Sequence, residues 1–202
     1  MKIKSLVIAT FVLACASVNA QNATSNTQDA ASVAAKGNNI FNLGVGLGTD
    51  LYTGGGFSTA VPPISISYEY VLKDGVAGGK GAWGIGGYLG YAASRWNYYD
   101  PYYNETYGWG YSYMVIGPRG YFHYNLAPKL DTYVGLLLGY NIVTSHETGV
   151  WPNGITQTSE SSSGLTFAFF VGGRYYFTQH FGLMAEFGYG VTYLNLGVSL
   201  KP

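Results

Sequence analysis

Beyond residue 38 the chain alternates. Phe41, Leu43, Val45 and Leu47 take turns with Asn42, Gly44, Gly46 and Gly48. Ile64, Ile66, Tyr68 and Tyr70 alternate with Ser65, Ser67 and Glu69, and Trp83, Ile85, Leu89 and Tyr91 oppose Gly84, Gly86, Tyr88 and Gly90. The same holds for Val134, Leu136, Leu138 and Tyr140, for Leu165, Phe167, Phe169 and Val171, and for Leu194, Leu196, Val198 and Leu200. A period of two belongs to strands whose two faces meet different surroundings. No segment carries a helical stripe. The pattern predicts strands at 39–48, 62–71, 82–93, 110–124, 130–143, 163–177, 182–190 and 192–200. Most reach the roughly 9–11 residues with which a tilted strand crosses an apolar layer. Past residue 20 no apolar run approaches the roughly 18 residues of a membrane helix.

The connections alternate too. Residues 49–61, 94–109 and 144–162 are long. Residues 72–81, 125–129 and 178–181 are short and carry turn formers such as Asp74-Gly75, Asn125 and Pro128. Long loops on one rim and short turns on the other suit an up-and-down barrel. The last connection, between 190 and 192, breaks the rule by leaving almost no loop. The expectation is an all-β fold, an antiparallel up-and-down transmembrane β-barrel of about eight strands, over residues 39–202.

Residues 1–20 read as a signal peptide. Lys2 and Lys4 open it, Ser5 to Ala16 is mainly apolar, and Val18-Asn19-Ala20 supplies small residues before cleavage at Gln21. A competing reading makes Val12-Leu13-Ala14-Cys15 a lipoprotein box with Cys15 lipidated. Residues 21–38, rich in Asn, Ser, Thr and Ala, lack an apolar period and are expected to form a flexible periplasmic tail.

Composition sharpens this picture. Charged residues make up 10% of the chain and aromatics 17%, with 20 Tyr and 30 Gly. A soluble domain carries about 25% charge. So little charge with so many aromatics suits a wall facing lipid, bordered by rings. In a soluble, lipocalin-like alternative the outward face would be largely Gly, Ala, Ser and Tyr, a poor soluble surface. No basic run offers a phosphate-binding stripe, so nucleic acid is not an expected partner. Cys15 is the only cysteine, which leaves the mature chain without a disulfide.

The charges that remain fall on the polar parity. Arg174 opposes Phe169 and Val171, and it lies in a repeat. Gly117-Pro118-Arg119-Gly120-Tyr121-Phe122 matches Gly172-Gly173-Arg174-Tyr175-Tyr176-Phe177 at an offset of 174 − 119 = 55, which also carries Asp131 onto Glu186. The small barrel interior is packed with side chains, so charges there must pair. Arg119 and Arg174 are therefore expected to form a lumenal network with Glu69, Asp131 and Glu186, extended by Tyr121 and His123. It reads as a polar core that fixes register, or as a gated ion path or proton relay.

These features resemble the outer-membrane protein β-barrel family of small, mostly eight-stranded Gram-negative barrels. The carriers are Ile116-Gly117-Pro118-Arg119-Gly120-Tyr121-Phe122-His123, its echo at Val171–Phe177, and the closing Phe187-Gly188-Tyr189-Gly190-Val191 and Leu194–Leu200. The resemblance covers about residues 39–200 and implies an integral outer-membrane protein with both termini periplasmic. It also implies outer-membrane lipid and the barrel-assembly machinery as partners. Family members include adhesins, defence proteins and many with no known activity. Such barrels usually end on an aromatic residue, whereas this chain ends Leu200-Lys201-Pro202.

Candidate chemistry is sparse. Gly44-Val45-Gly46-Leu47-Gly48 and Gly84-Ile85-Gly86-Gly87 lack the helix a phosphate loop needs and read as small lumenal residues making room for Tyr and Arg. The stretch 94–109 offers Trp96, Tyr98, Tyr99, Tyr102, Tyr103, Tyr107 and Trp109 as a surface that stacks on sugars or a partner, or as a girdle with a strand extension. Ser145-His146-Glu147 is no triad by spacing alone, although some small outer-membrane barrels modify lipids with a Ser and a His near that rim. His123, His146 and His180 are scattered, so no metal and no cofactor is expected. The function expected is non-enzymatic, structural or surface-interacting, through the long loops. A lipid-modifying enzyme and a small solute pore are the alternatives.

Overall fold

The computed structural model describes residues 33–48, 56–149, 160–189 and 192–202. It contains eight strands: β1 (Asn39–Leu47), β2 (Phe57–Val76), β3 (Gly81–Asp100), β4 (Glu105–Ala127), β5 (Leu130–Gly149), β6 (Glu160–Tyr176), β7 (Phe181–Tyr189) and β8 (Leu194–Leu200). Each pairs antiparallel with its neighbours in sequence, and β1 pairs with β8, closing a barrel. Closure removes the sheet edges, so every strand of the wall has a partner on both sides.

The alternation decides the faces. In β1 Ile40, Asn42, Gly44 and Gly46 are buried, while Phe41, Leu43, Val45 and Leu47 are exposed. In β5 Asp131, Tyr133, Gly135, Leu137 and Gly139 point in, and Val134, Leu136, Leu138 and Tyr140 point out. Large lumenal groups fit because glycines face them. A Cβ on Gly84 would collide with the Glu69 carboxylate, and one on Gly135 with the Phe170 ring.

The strands run further than the alternation predicts. The expected loop 94–109 is mostly sheet: β3 continues to Asp100, β4 starts at Glu105, and only 101–104 turn. Cross-strand pairs Trp96↔Trp109 and Tyr98↔Tyr107 sustain the ladder, since facing aromatics stabilise pairing. At Asn104 the turn adopts a φ of 55°, a left-handed conformation that asparagine tolerates. Strand β2 likewise begins at Phe57 instead of residue 62. Pro62 and Pro63 sit where the β2–β3 register shifts between Val61 and Ile64, a bulge that spares them from donating.

Of the expected tail 21–38, residues 33–38 are described. Residues 33–38 lie across the turn rim of the barrel. Gly37 N donates to Val71 O at 2.9 Å, Lys36 N to an Asp74 carboxylate at 2.9 Å, and the Lys201 ammonium to Val33 O at 3.1 Å. Ala34 is buried with Ile40, Val71 and Ala82, forming an apolar floor to the lumen. Burial holds the Lys201 amine below the ordinary lysine range, against the field of Asp131, which acts the other way. The expected signal peptide 1–20 and the rest of the tail lie outside the described residues, as does Cys15.

Candidate functional site: the lumen and the projecting hairpin

Above the apolar floor lies a polar layer. Arg174, from β6, is fully buried and donates to Glu69 of β2 at 2.7 Å and to Asp131 of β5 at 2.9 Å. His123, from β4, faces the same two carboxylates: Nδ1 lies 2.7 Å from Asp131 and Nε2 lies 2.5 Å from Glu69. In each contact the proton lies either on the ring nitrogen or on the carboxyl oxygen, so the imidazole bridges the two carboxyl groups. Arg119, one level nearer the loop rim, pairs with Glu186 of β7 at 3.1 Å. Its guanidinium lies 4.0 Å from the Tyr88 ring centroid and 4.1 Å from that of Phe170. Three carboxyl groups thus meet two guanidiniums and one imidazole.

The repeat has a spatial meaning that spacing does not convey. Each arginine pairs with the acid of the other hairpin: Arg119 with Glu186, and Arg174 with Asp131. The Arg119–Glu186 pair crosses the lumen from β4 to β7, whereas Arg174 and Asp131 face each other in register on the adjacent strands β6 and β5. His123, expected only as an extension of the network, sits at the centre of the layer. Parity indicated its side, but not its double contact.

Aromatic and amide layers fill the remainder. Tyr121, Tyr133 and Phe170 pack edge to face. Asn42 donates to Ser67 at 2.9 Å and Asn195 to Ser65 at 3.0 Å. Beside Arg119 and Asn195 is a cavity of about 20 Å³, the space of a single water. Among the described residues, Arg119 Nε and Asn195 Oδ1 have no hydrogen-bond partner.

The outer wall is the reverse. Leu136, Leu138, Phe167, Phe169, Ile66 and Ile85 all stand at least 49% exposed, against 0% for Arg174, Glu69 and Asp131 inside. The apolar band ends in rings: Tyr91 and Tyr140 on the loop side, Trp83, Tyr175 and Phe177 on the turn side. Beyond them the outward residues turn polar, as with Arg95, Asn97, Thr144 and His146. A wall that is apolar outside and charged inside cannot face water and must face lipid. The chain is an eight-stranded transmembrane β-barrel. A soluble barrel would need the opposite sidedness.

No family model and no curated relative matches the sequence. Among solved structures, the barrel is similar to Ail, the attachment invasion locus protein of Yersinia pestis, in complex with the heparin analogue sucrose octasulfate. The identity is 14%, with 82% of this chain and 95% of that one covered, at a TM-score of 0.46. The N-terminal β-barrel domain of Pseudomonas aeruginosa OprF is similar at 16% identity, 83% and 98% coverage and a TM-score of 0.46. Neisserial surface protein A follows at 12% identity, 82% and 94% coverage and a TM-score of 0.46. The sidedness of the wall, not this likeness, carries the membrane assignment.

The aromatic stretch belongs to neither girdle. Tyr98 follows Tyr91, the last ring of the apolar band on β3, by seven residues, roughly 23 Å along a strand. Trp96 and Tyr98 stack at 6.3 Å and 15°, and Tyr98 tilts against Tyr107 at 5.4 Å. Trp109 pairs with Trp96 in register. Tyr98, Tyr99, Tyr102 and Tyr103 are 45%, 56%, 85% and 50% exposed. Asp100 shapes the turn by accepting from Tyr102 N at 2.9 Å, and Tyr99 donates its hydroxyl to Asn104 at 2.8 Å.

Ser145 and His146 do not form a catalytic pair. They are successive strand residues and project to opposite faces. Ser145 follows the lumenal parity of Leu137, whereas the His146 ring lies on the outer face against Gly110.

Proposed function

We propose that this protein is a non-conducting, non-enzymatic barrel of the bacterial outer membrane, whose projecting β3–β4 hairpin serves as a contact surface. Residues 1–20 act as its export leader, and the barrel-assembly machinery inserts it. One observation carries the reading: the lumen is packed through its polar and aromatic layers, while the exposed rings stand well beyond the apolar band. A barrel of eight strands holds little more than its own side chains, and this one uses that space for paired charges. What can meet another molecule is at the loop rim. A rigid wall beneath the hairpin makes it a fixed platform, and large exposed rings on a rigid frame are favoured contact groups.

Planar-bilayer recording on the purified chain tests the closed lumen; the expected trace is silent, and steady unitary conductance would overturn it. A chain with the hairpin cut back from Asn97–Gly108 tests the contact role. It should insert as a barrel, yet cells bearing it should lose the surface adhesion of cells bearing the intact chain. Equal adhesion by both would remove that role.

A further inference from the structure

The charges outside the lumen are sorted by rim. Among the described residues, the turn side carries Lys36, Lys73, Lys80, Lys129 and Lys201 against Asp74. The loop side carries Asp100, Glu105, Glu147 and Glu160 against the single Arg95. Three of those acids share a face with the rings. Register pairs Asp100 with Glu105 and Glu147 with Trp109, on the same parity as Trp96, Tyr98 and Tyr107. That parity continues the lumenal face of Tyr88, Ala92 and Tyr113, so the rings and acids look across the mouth of the barrel. Arg95 is on the other face with Asn97 and Tyr99.

Ring faces carry negative potential, and carboxylates beside them add to it. A sheet face built of Trp and Tyr and bordered by three acids attracts a cation with a flat or methylene-rich stem, and repels an anion. The chain shows the arrangement in its own lumen, where the Arg119 guanidinium lies between Tyr88 and Phe170 and meets Glu186. The mouth offers the same rings and acids on a face that carries no lysine or arginine between Ala92 and Tyr113.

We propose that the mouth-facing side of the β3–β4 hairpin binds an arginine- or lysine-bearing segment of a partner protein. Basic side chains stack on Trp96, Tyr98 and Tyr107, while Asp100, Glu105 and Glu147 hold their charge. This rests on the contact-surface reading above and supplies the class of partner. An anionic partner is disfavoured by the acids, and a neutral glycan would use the rings but leave the acids without a role.

The test uses the full barrel in nanodiscs of zwitterionic phosphatidylcholine, with labelled octa-arginine and octa-glutamate as probes followed by fluorescence anisotropy. Octa-arginine should bind, more weakly as ionic strength rises, and octa-glutamate should not. The isosteric variant Asp100→Asn, Glu105→Gln, Glu147→Gln should weaken binding roughly tenfold or more. Trp96→Ala with Tyr98→Ala, which leaves the charge unchanged, should weaken it by a similar factor. Heat-modifiable gel mobility verifies that each variant is still a barrel. Equal affinity for both peptides, or unchanged octa-arginine binding in either variant, overturns the proposal. Binding of an uncharged oligosaccharide in place of octa-arginine also overturns it, but leaves the hairpin as a contact surface. Channel activity with no hairpin-dependent binding would instead remove the contact reading itself.

Discussion

Replacing Arg174 with methionine removes the cation that holds two carboxylates at once. Arg174 lies 2.7 Å from Glu69 and 2.9 Å from Asp131, and all three are 0% exposed. In its absence two carboxylates share the one imidazole of His123, so the enclosed layer carries an uncompensated negative charge or takes up a proton to avoid it. Breaking a buried pair in this way costs about 3–5 kcal/mol, although replacing a whole buried ion cluster by apolar groups of like volume is often neutral. With a urea slope of about 2 kcal/mol per M, the unfolding midpoint of the refolded barrel should fall by about 2 M. The assay is equilibrium urea unfolding in lipid, followed by tryptophan fluorescence. Adding Glu69→Leu and Asp131→Leu to Arg174→Met should recover at least half of the lost midpoint. A single variant as stable as the parent would refute the reasoning, and so would a triple variant no better than the single one.

Other substitutions probe the wall and the lumen separately. Leu136→Arg places a cation on the lipid face of β5 and should cost about 2–4 kcal/mol, measured by the same unfolding assay. Gly84→Val should destabilise by about 1–3 kcal/mol, because the new side chain meets a Glu69 carboxylate that Arg174 and His123 hold in place; a stability equal to the parent would mean that the layer yields. Glu186→Gln removes the charge facing Arg119 and should lower the unfolding midpoint, whereas Glu105→Gln at the loop rim should leave it unchanged within about 0.5 kcal/mol.

The strands were legible because a period of two leaves no freedom once one face is assigned. Phe169 and Val171 on the outside put Arg174 inside, and the repeat then put Arg119 there. Strand ends were not legible. The chain past Ala93 has no apolar face, so it reads as loop, yet Trp96, Tyr98, Tyr107 and Trp109 pair across it and keep it in sheet. The start of β2 at Phe57 was not legible, because the bulge at Pro62 and Pro63 that carries the strand on follows from pairing and not from local preference. In the lumen, alternation set the side on which His123 lies but not its place between Asp131 and Glu69, which depends on how four strands bring their side chains to one level. The pairing of Arg119 with Glu186 across the lumen depends on the same closure. Phe170 was hidden for another reason: flanked by Phe169 and Val171, it looks like part of an apolar run, and only its parity shows that it faces Arg119.

The central claim is the sidedness of the wall, and lipid-borne quenching measures it most directly. Single cysteines placed in turn at Tyr133, Val134, Leu136, Leu137 and Leu138 of β5 can carry a fluorophore in liposomes containing spin-labelled acyl chains, since Cys15 falls within the expected leader. Labels at 134, 136 and 138 should be strongly quenched, and labels at 133 and 137 should be protected. Quenching at 133 and 137 with protection at the other three would contradict the account.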